Sequence, residues 1–130
     1  MLVFPRHIRA AKLCHGGGRD WFAARGWSWA EFVAEGRPVE DFEECGCPLA
    51  ARVAQAAWDE QDGETRLYLR HLGAVGFCHG GGREWFAERG WDWGDFVTNG
   101  RPLLDFVATG DPDAMRAVEA ARREVRDGRQ

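Results

Sequence analysis

An internal repeat is the feature that most constrains how this chain of 130 residues can fold. The stretch CHGGGRDWFAARGW, Cys14 to Trp27, returns as CHGGGREWFAERGW, Cys78 to Trp91. A shift of 64 positions aligns the sequence to itself without a gap, and roughly half of the compared positions are identical, far above chance for a fixed period. A unit of about 60 residues is close to the smallest that folds alone. We therefore predict two tandem domains, residues 1–63 and residues 64–130.

Helical patterns recur in both repeats. Phe4, His7, Ile8 and Ala11 have the i, i+3, i+4, i+7 spacing of one helical face. After the glycine triplet at positions 16–18, the sequence predicts a short helix over residues 20–25. Gly26 is placed to end this helix, because glycine readily adopts the left-handed conformation that often follows a last helical turn. The same patterns lie 64 residues later.

The next helix has the clearest start signal. Ser28 is suited to cap a helix with Glu31 at the third helical position, and the second repeat has Asp92 in place of the serine. Trp27 precedes the cap and Phe32 follows at the fourth helical position, the pair that forms a hydrophobic staple. These patterns give the tryptophan a structural explanation.

The last helix of each repeat carries a narrow apolar stripe. In the second repeat it begins with Asp111 as a plausible cap and Pro112 at the first helical position. The stripe consists of Ala50, Val53, Ala54 and Ala57 in the first repeat and Ala114, Ala117, Val118 and Ala121 in the second. Alanine-rich stripes let helices approach closely. Because we find no convincing strand or hairpin pattern, we predict an all-α fold made of two tandem copies of a small bundle of short helices.

Composition limits the cellular context. Hydrophobic residues make up 45% of the chain and charged residues 29%, which is typical of a soluble globular protein. No apolar run approaches membrane-spanning length, and the first residues lack the pattern of a signal peptide. We therefore expect no membrane partner, and a location inside a cell or in a particle assembled there. The net charge of −4 argues against a protein that binds nucleic acid by neutralising phosphates.

The sequence HGGGR at positions 15–19 has three interpretations. It resembles the oxyanion-hole segment of lipases and esterases, but that site also needs a serine nucleophile on a strand-to-helix elbow. The only serine, Ser28, is suited to a helix cap instead. A second interpretation is a backbone nest for an anion, supported by Arg19 and Arg83. A third, favoured because no P-loop pattern accompanies the glycines, is a tight turn into a helix.

Cysteine and histidine suggest metal or redox chemistry. A zinc site shared between the repeats would use Cys14, His15, Cys78 and His79. However, zinc sites separate paired ligands by two or more residues, since adjacent side chains diverge, so we expect no bound cofactor and interpret Cys14 and Cys78 as buried small hydrophobic residues. Cys45 and Cys47 interrupt the repeat at a helix start, where the thiolate is favoured, which suggests a reactive dithiol or a disulfide from one of them to Cys14. Incidental reduced thiols are the plainer interpretation.

Tryptophan and arginine are the residue types that recur without a catalytic partner. No carboxylate pair, triad or ligand set recurs in both repeats at a catalytic spacing, so we predict that the chain is not an enzyme. Because Trp and Arg dominate protein–protein hot spots, and because Trp27 is assigned to the staple, we expect Trp29 and Trp93 to be exposed or to contact the other repeat. The predicted interaction residues are Trp29, Trp93, Arg19, Arg83, Arg37 and Arg101.

The motif Cys-x-x-Gly-x-Arg-x-Trp-Phe-x-x-x-Gly-x-x-Trp-x-x-Phe, followed by Gly, occurs in both repeats, at Cys14–Gly36 and Cys78–Gly100. A later TGD stands at residues 109–111 and is replaced by CGC at residues 45–47. This order resembles a family of small proteins encoded by tailed bacteriophages and prophages. The resemblance implies a phage-encoded protein located in the virion or the host-cell cytoplasm.

Three functional hypotheses follow. The first is a non-enzymatic phage interaction protein, such as an accessory component of the head, neck or tail, whose partner is a larger phage assembly protein. The second is a small DNA-binding regulator, because short helices joined by glycine turns can mimic a helix-turn-helix. The third is a metal- or redox-responsive module that uses the Cys and His residues.

Overall fold

A computed structural model describes residues 1–128, and its backbone contacts divide the chain into a first unit, residues 1–61, and a second unit that begins at residue 62. The first unit begins with strand β1 (Leu2–Val3) and helices α1 (Pro5–Ala10), α2 (His15–Ala24) and α3 (Trp29–Glu35). Strand β2 (Arg37–Pro38), helix α4 (Val39–Glu44) and the long helix α5 (Pro48–Glu64) follow. The division between the units falls within α5.

The second unit has the same elements in the same order. They are β3 (Arg66–Leu67), α6 (Leu69–Ala74), α7 (His79–Glu88), α8 (Trp93–Asn99), β4 (Arg101–Pro102), α9 (Leu103–Thr109) and α10 (Pro112–Arg126). Up to the start of α9, every element begins and ends 64 residues after its counterpart. The fold of residues 1–128 is therefore helical, with two similar halves, as the repeat predicts. No helix within these residues is long and apolar enough to cross a membrane.

Short antiparallel ladders were not expected from the sequence. Strand β1 pairs with β2, with Val3 opposite Arg37, and β3 pairs with β4, with Leu67 opposite Arg101. Each strand has two residues, too few to show the alternating pattern that identifies a strand in a sequence. The pairing joins the start of each unit to its middle, and it buries the side chains of Val3 and Leu67 completely.

The predicted helix caps are confirmed. The Ser28 hydroxyl accepts a hydrogen bond from the Glu31 amide at 3.2 Å, and the Asp92 carboxylate accepts one from the Asp95 amide at 3.0 Å. Asp111 caps α10 in the same way. These bonds satisfy backbone donors that a helix start would otherwise leave unpaired.

The glycine triplet lies inside a helix, so the predicted turn before residue 20 is wrong. Helix α2 begins at His15, because the thiol of Cys14 caps it by accepting the Gly17 amide at 3.3 Å. The third glycine, Gly18, makes room for a close contact, since a Cβ there would lie only 3.2 Å from the Trp29 ring. In α7 the equivalent distance is only 2.9 Å, so the glycine allows an indole to lie directly on the helix backbone.

Each unit has its own core of phenylalanines against an alanine-rich helix. Phe22, Phe32 and Phe42 are at most 2% exposed, as are their counterparts in the second unit. The predicted stripes of α5 and α10 are confirmed as buried. In the predicted staple, Trp27 and Phe32 both pack on Phe22.

Candidate functional site

A cluster of aromatic rings surrounds Phe22 in the first unit. Trp27 and Trp29 contact this ring edge-on, with centroid distances of 5.4 and 5.2 Å and interplanar angles of 81° and 82°. Trp21 stacks on Phe42 at 5.9 Å. Because edge-to-face and stacked rings attract beyond simple area burial, the three indoles are held in fixed orientations at the boundary of the core.

Two arginines lie flat on two of these indoles. The guanidinium of Arg25 is 3.6 Å from the ring centroid of Trp21, and that of Arg37 is 3.8 Å from Trp27. The second unit repeats the arrangement at 3.6 and 4.0 Å. We call this arrangement the tryptophan–arginine surface; it consists of Trp21, Arg25, Trp27 and Arg37 in the first unit and Trp85, Arg89, Trp91 and Arg101 in the second.

Further contacts hold the arginines in place. Arg37 pairs with Asp41 at 2.8 Å, one helical turn away, and its side chain stays 26% exposed. Arg25 donates a hydrogen bond to the carbonyl of Trp21 at 3.3 Å. Since each guanidinium is both stacked and bonded, little side-chain entropy remains to be lost when a partner binds.

The six predicted interaction residues form three pairs, which the structure places differently. Arg37 and Arg101 belong to the tryptophan–arginine surface. Trp29 and Trp93, which we expect to be exposed or to contact the other repeat, are partly buried and pack against the core of their own unit. The reason is the glycine that lets each indole pack onto a helix backbone.

The remaining predicted arginines lie outside the surface. Arg19 is exposed and its guanidinium is 5.9 Å from the Trp29 ring, and Arg83 is also exposed. Sequence analysis did not select Arg25 and Arg89 for the site. Their signal is the i, i+4 spacing from Trp21 and Trp85, which places the two side chains of each pair on one helix face.

A buried histidine in each unit forms a set with a carboxylate and an arginine that sequence analysis missed. Nε2 of His7 lies 3.2 Å from Glu60, and Arg6 holds the same carboxylate through bonds of 2.9 and 2.6 Å. In the second unit His71 and Glu124 are 2.7 Å apart. Arg6 and Glu60 are 54 residues apart in the chain, so no local spacing reveals the set; the only signal is that all three residues repeat.

The geometry keeps this histidine neutral. The Phe4 amide donates a hydrogen bond to Nδ1 of His7 at 2.8 Å, so the ring proton is on Nε2, facing Glu60. Burial is the main cause that lowers the pKa of His7 and of His71, although the neighbouring carboxylate opposes it. The Arg6 hydrogen bonds lower the pKa of Glu60 to about 2. The neutral His7 therefore links α1 to α5 through Glu60, which supports a structural role for the set.

We predict that acid weakens the fold through these histidines. The pKa of each histidine is lower in the folded chain than in the unfolded chain. Their contribution to the free energy of unfolding is therefore fully present above the unfolded pKa of 6.5, and it is lost as the pH falls through the folded pKa. Between these two values, each histidine changes the unfolding free energy by up to about 1.4 kcal/mol per pH unit. Urea unfolding from pH 8 to pH 5 measures the slope. We expect His7→Gln to flatten it, whereas His79→Gln, at an exposed position, leaves it unchanged; equal slopes in all three proteins would contradict the prediction.

The four cysteines are free, and no group of three or more His, Cys, Asp or Glu within residues 1–128 is arranged to hold a metal. Cys14 and Cys78 are exposed, so the expectation that they are buried hydrophobic residues is wrong. They are exposed because their thiols cap the first turns of α2 and α7. His15 and His79 are the first residues of those helices, and each ring contacts the indole of Trp29 or Trp93.

Cys47 stands where the second unit has a carboxylate. Asp111 accepts bonds from the Trp85 indole at 3.1 Å and from two backbone amides at the start of α10, and these bonds lower its pKa. In the first unit the Trp21 indole faces the thiol of Cys47, whose pKa is lowered chiefly by the Ala50 amide. A thiol is a weaker acceptor than a carboxylate, so the cap of α5 is the weaker of the two.

Exchanging these two caps is expected to change stability in opposite directions. Cys47→Asp would supply the carboxylate that Trp21 and the first turn of α5 lack, and we expect it to raise the melting temperature by a few degrees. Asp111→Cys in the second unit is the matched reverse change and is expected to lower it. Calorimetry at pH 7 measures both, and a fall in melting temperature for Cys47→Asp would count against this account of the cap.

No protein family model, curated protein or solved structure matches the chain.

Proposed function

We propose that this chain is a non-enzymatic bacteriophage protein, an accessory structural component of the head, neck or tail of the virion. In this proposal it binds a larger phage assembly protein through the tryptophan–arginine surface. The resemblance of the repeated motif to small phage-encoded proteins supports the phage assignment. The paired stacking of Arg25 on Trp21 and Arg37 on Trp27 carries the assignment of the binding surface.

Three properties of the surface support a role in protein binding. Trp and Arg are the residue types most enriched in binding hot spots. Trp21 and Trp27 are partly buried, so a partner would meet large side chains whose orientations are already fixed. The arrangement is repeated in the second unit, and two linked binding elements raise apparent affinity without new contacts when both can engage.

The histidine sets support a structural rather than a catalytic role. His7 and His71 are 2% and 1% exposed, which leaves them poorly placed to exchange protons with a substrate. Each neighbouring carboxylate is already held by an arginine. A general base needs its nitrogen within reach of the proton it abstracts, and in these histidines one ring nitrogen accepts a backbone amide while the other faces the carboxylate.

Mass spectrometry of purified virions tests the structural role, and cross-linking in infected cells tests the surface. We expect the chain in virions and cross-links from Trp21 to a phage structural protein. The double variant Arg25→Gln, Arg37→Gln is expected to lose at least about 90% of this cross-linking, since removing a hot spot costs about 2 kcal/mol or more.

The matched control is Arg9→Gln with Arg123→Gln, which removes the same charge at exposed positions outside the surface. Circular dichroism checks that both variants stay folded. Equal losses of cross-linking in both variants would assign the effect to net charge. They would contradict the proposal that the tryptophan–arginine surface binds the partner. Virions that lack the chain would overturn the structural role.

A further inference from the structure

The first unit contains an apolar cavity of about 160 Å³ between α1, α2 and α5. Its wall is almost entirely hydrocarbon and aromatic ring, and includes Ile8, Leu13, Trp21, Phe22, Leu49 and Val53. The cavity is partly open to solvent, so it is a pocket that a small molecule can enter and not a sealed void.

In the second unit the equivalent residues line two separate spaces, and the inner one is nearly closed. The counterparts of six lining residues enclose only about 10 Å³, beside Phe77, which is about the room for one water molecule. Phe77 stands where the first unit has Leu13. The same phenylalanine also lines a separate, more open groove of about 320 Å³ whose wall includes Asp113 and Arg116, so Phe77 stands between two spaces whose counterparts in the first unit are continuous.

The rims of the two spaces differ as well. Leu49 lies at the edge of the cavity in the first unit and is 45% exposed. Its counterpart is Asp113, a charged residue that pairs with Arg116 at 3.5 Å. The first unit thus combines an open interior with an apolar entrance, and the second has a filled interior with a charged entrance.

We infer that the first unit binds a small uncharged apolar molecule about the size of a single aromatic ring. A dry cavity of about 150 Å³ lined by Leu, Ile and Phe binds benzene, and the cavity here has that volume and a similar lining. The second unit supports a ring-shaped occupant, because it has the aromatic ring of Phe77 where the first unit has the smaller Leu13, and this ring borders both of its spaces. The thiol of Cys14 lies in the wall but already accepts a hydrogen bond from the Gly17 amide. A polar ligand would therefore gain little free energy by binding in this cavity.

Benzene is the probe for the first experiment. We expect saturable binding of one benzene per chain, measured by ligand-observed NMR and by an increase in the melting temperature with benzene concentration. Leu13→Phe, which gives the first unit the residue found in the second, is expected to abolish binding. Phe77→Leu is the reciprocal variant, and we expect it to raise the stoichiometry from one to two.

Thiol chemistry locates the bound molecule. Cys14 lines the cavity, whereas Cys78 does not line the closed space of the second unit. With benzene at about ten times its Kd, we expect alkylation of Cys14 to slow by up to about tenfold and that of Cys78 to stay unchanged. Absence of saturable binding to the natural chain would overturn the inference, as would undiminished binding to a folded Leu13→Phe variant. If Leu13→Phe does not fold, an unchanged stoichiometry in Phe77→Leu overturns it instead.

Discussion

Replacement of Gly100 by alanine is expected to destabilise the second unit by about 3 kcal/mol, the upper end of the cost of a strained backbone conformation. Gly100 ends α8 with φ +73° and ψ −173°, a region that residues with a Cβ avoid. A Cβ at this position would also lie 2.8 Å from the carbonyl oxygen of Leu67 and 2.6 Å from the Tyr68 ring. The clash with a backbone oxygen cannot be relieved by a side-chain rotation, so the β3–β4 ladder would have to move.

Gly80→Ala is the matched control for this prediction. Gly80 lies in α7 of the same unit, and nothing is within 4 Å of the position a Cβ would take. Alanine there is expected to change the stability by less than about 1 kcal/mol, towards greater stability, because it restricts the unfolded chain and favours the helix. Urea unfolding of both variants makes the comparison. Equal effects of the two substitutions on stability would refute the role assigned to the backbone conformation of Gly100.

Phe22→Ala is expected to cost the first unit about 3–5 kcal/mol, the range for truncating a buried phenylalanine. Phe22 is 1% exposed, and the rings of Trp27, Trp29 and Phe32 surround it with centroid distances of 5.4, 5.2 and 4.7 Å. Its removal would take the shared partner from all three rings. Because a unit of about 60 residues has only a few kcal/mol of stability, we expect the first unit to be largely unfolded at 25 °C.

Hydrogen exchange across residues 1–61 measures this loss directly. Val33→Ala is the control, since Val33 is 54% exposed and truncation there is expected to stay within about 0.5 kcal/mol. Phe86→Ala makes the equivalent change in the second unit, where Trp91, Trp93 and Phe96 surround the ring. Protection in residues 1–61 that survives Phe22→Ala would show that the aromatic cluster does not hold the unit together.

Features that depend on near neighbours in the chain could be predicted from the sequence. The caps at Ser28, Asp92 and Asp111 follow from three or four consecutive residues, and the structure confirms them. The buried stripes of α5 and α10 follow from the helical repeat. The reason is that both depend on hydrogen bonds or periodicities within one helix.

Features that join distant parts of the chain could not be predicted in this way. The pairing of Val3 with Arg37 and the contact of His7 with Glu60 depend on how the helices pack, as does the indole of Trp29 above Gly18. The same limit applies to the indoles. Sequence spacing showed that Trp27 and Trp29 differ, but which one lies on a helix backbone is decided by a glycine eleven positions earlier.

The indole pairs of the fold also have an optical consequence. Trp21 and Trp27 lie 5.3 Å apart at an interplanar angle of 74°, and Trp85 and Trp91 lie 5.5 Å apart at 76°. Chromophores this close, fixed and non-parallel share their electronic excitations, so we expect each half of the molecule to give its own exciton couplet in circular dichroism. Each couplet would thus report on the folding of its own half and disappear when that half unfolds.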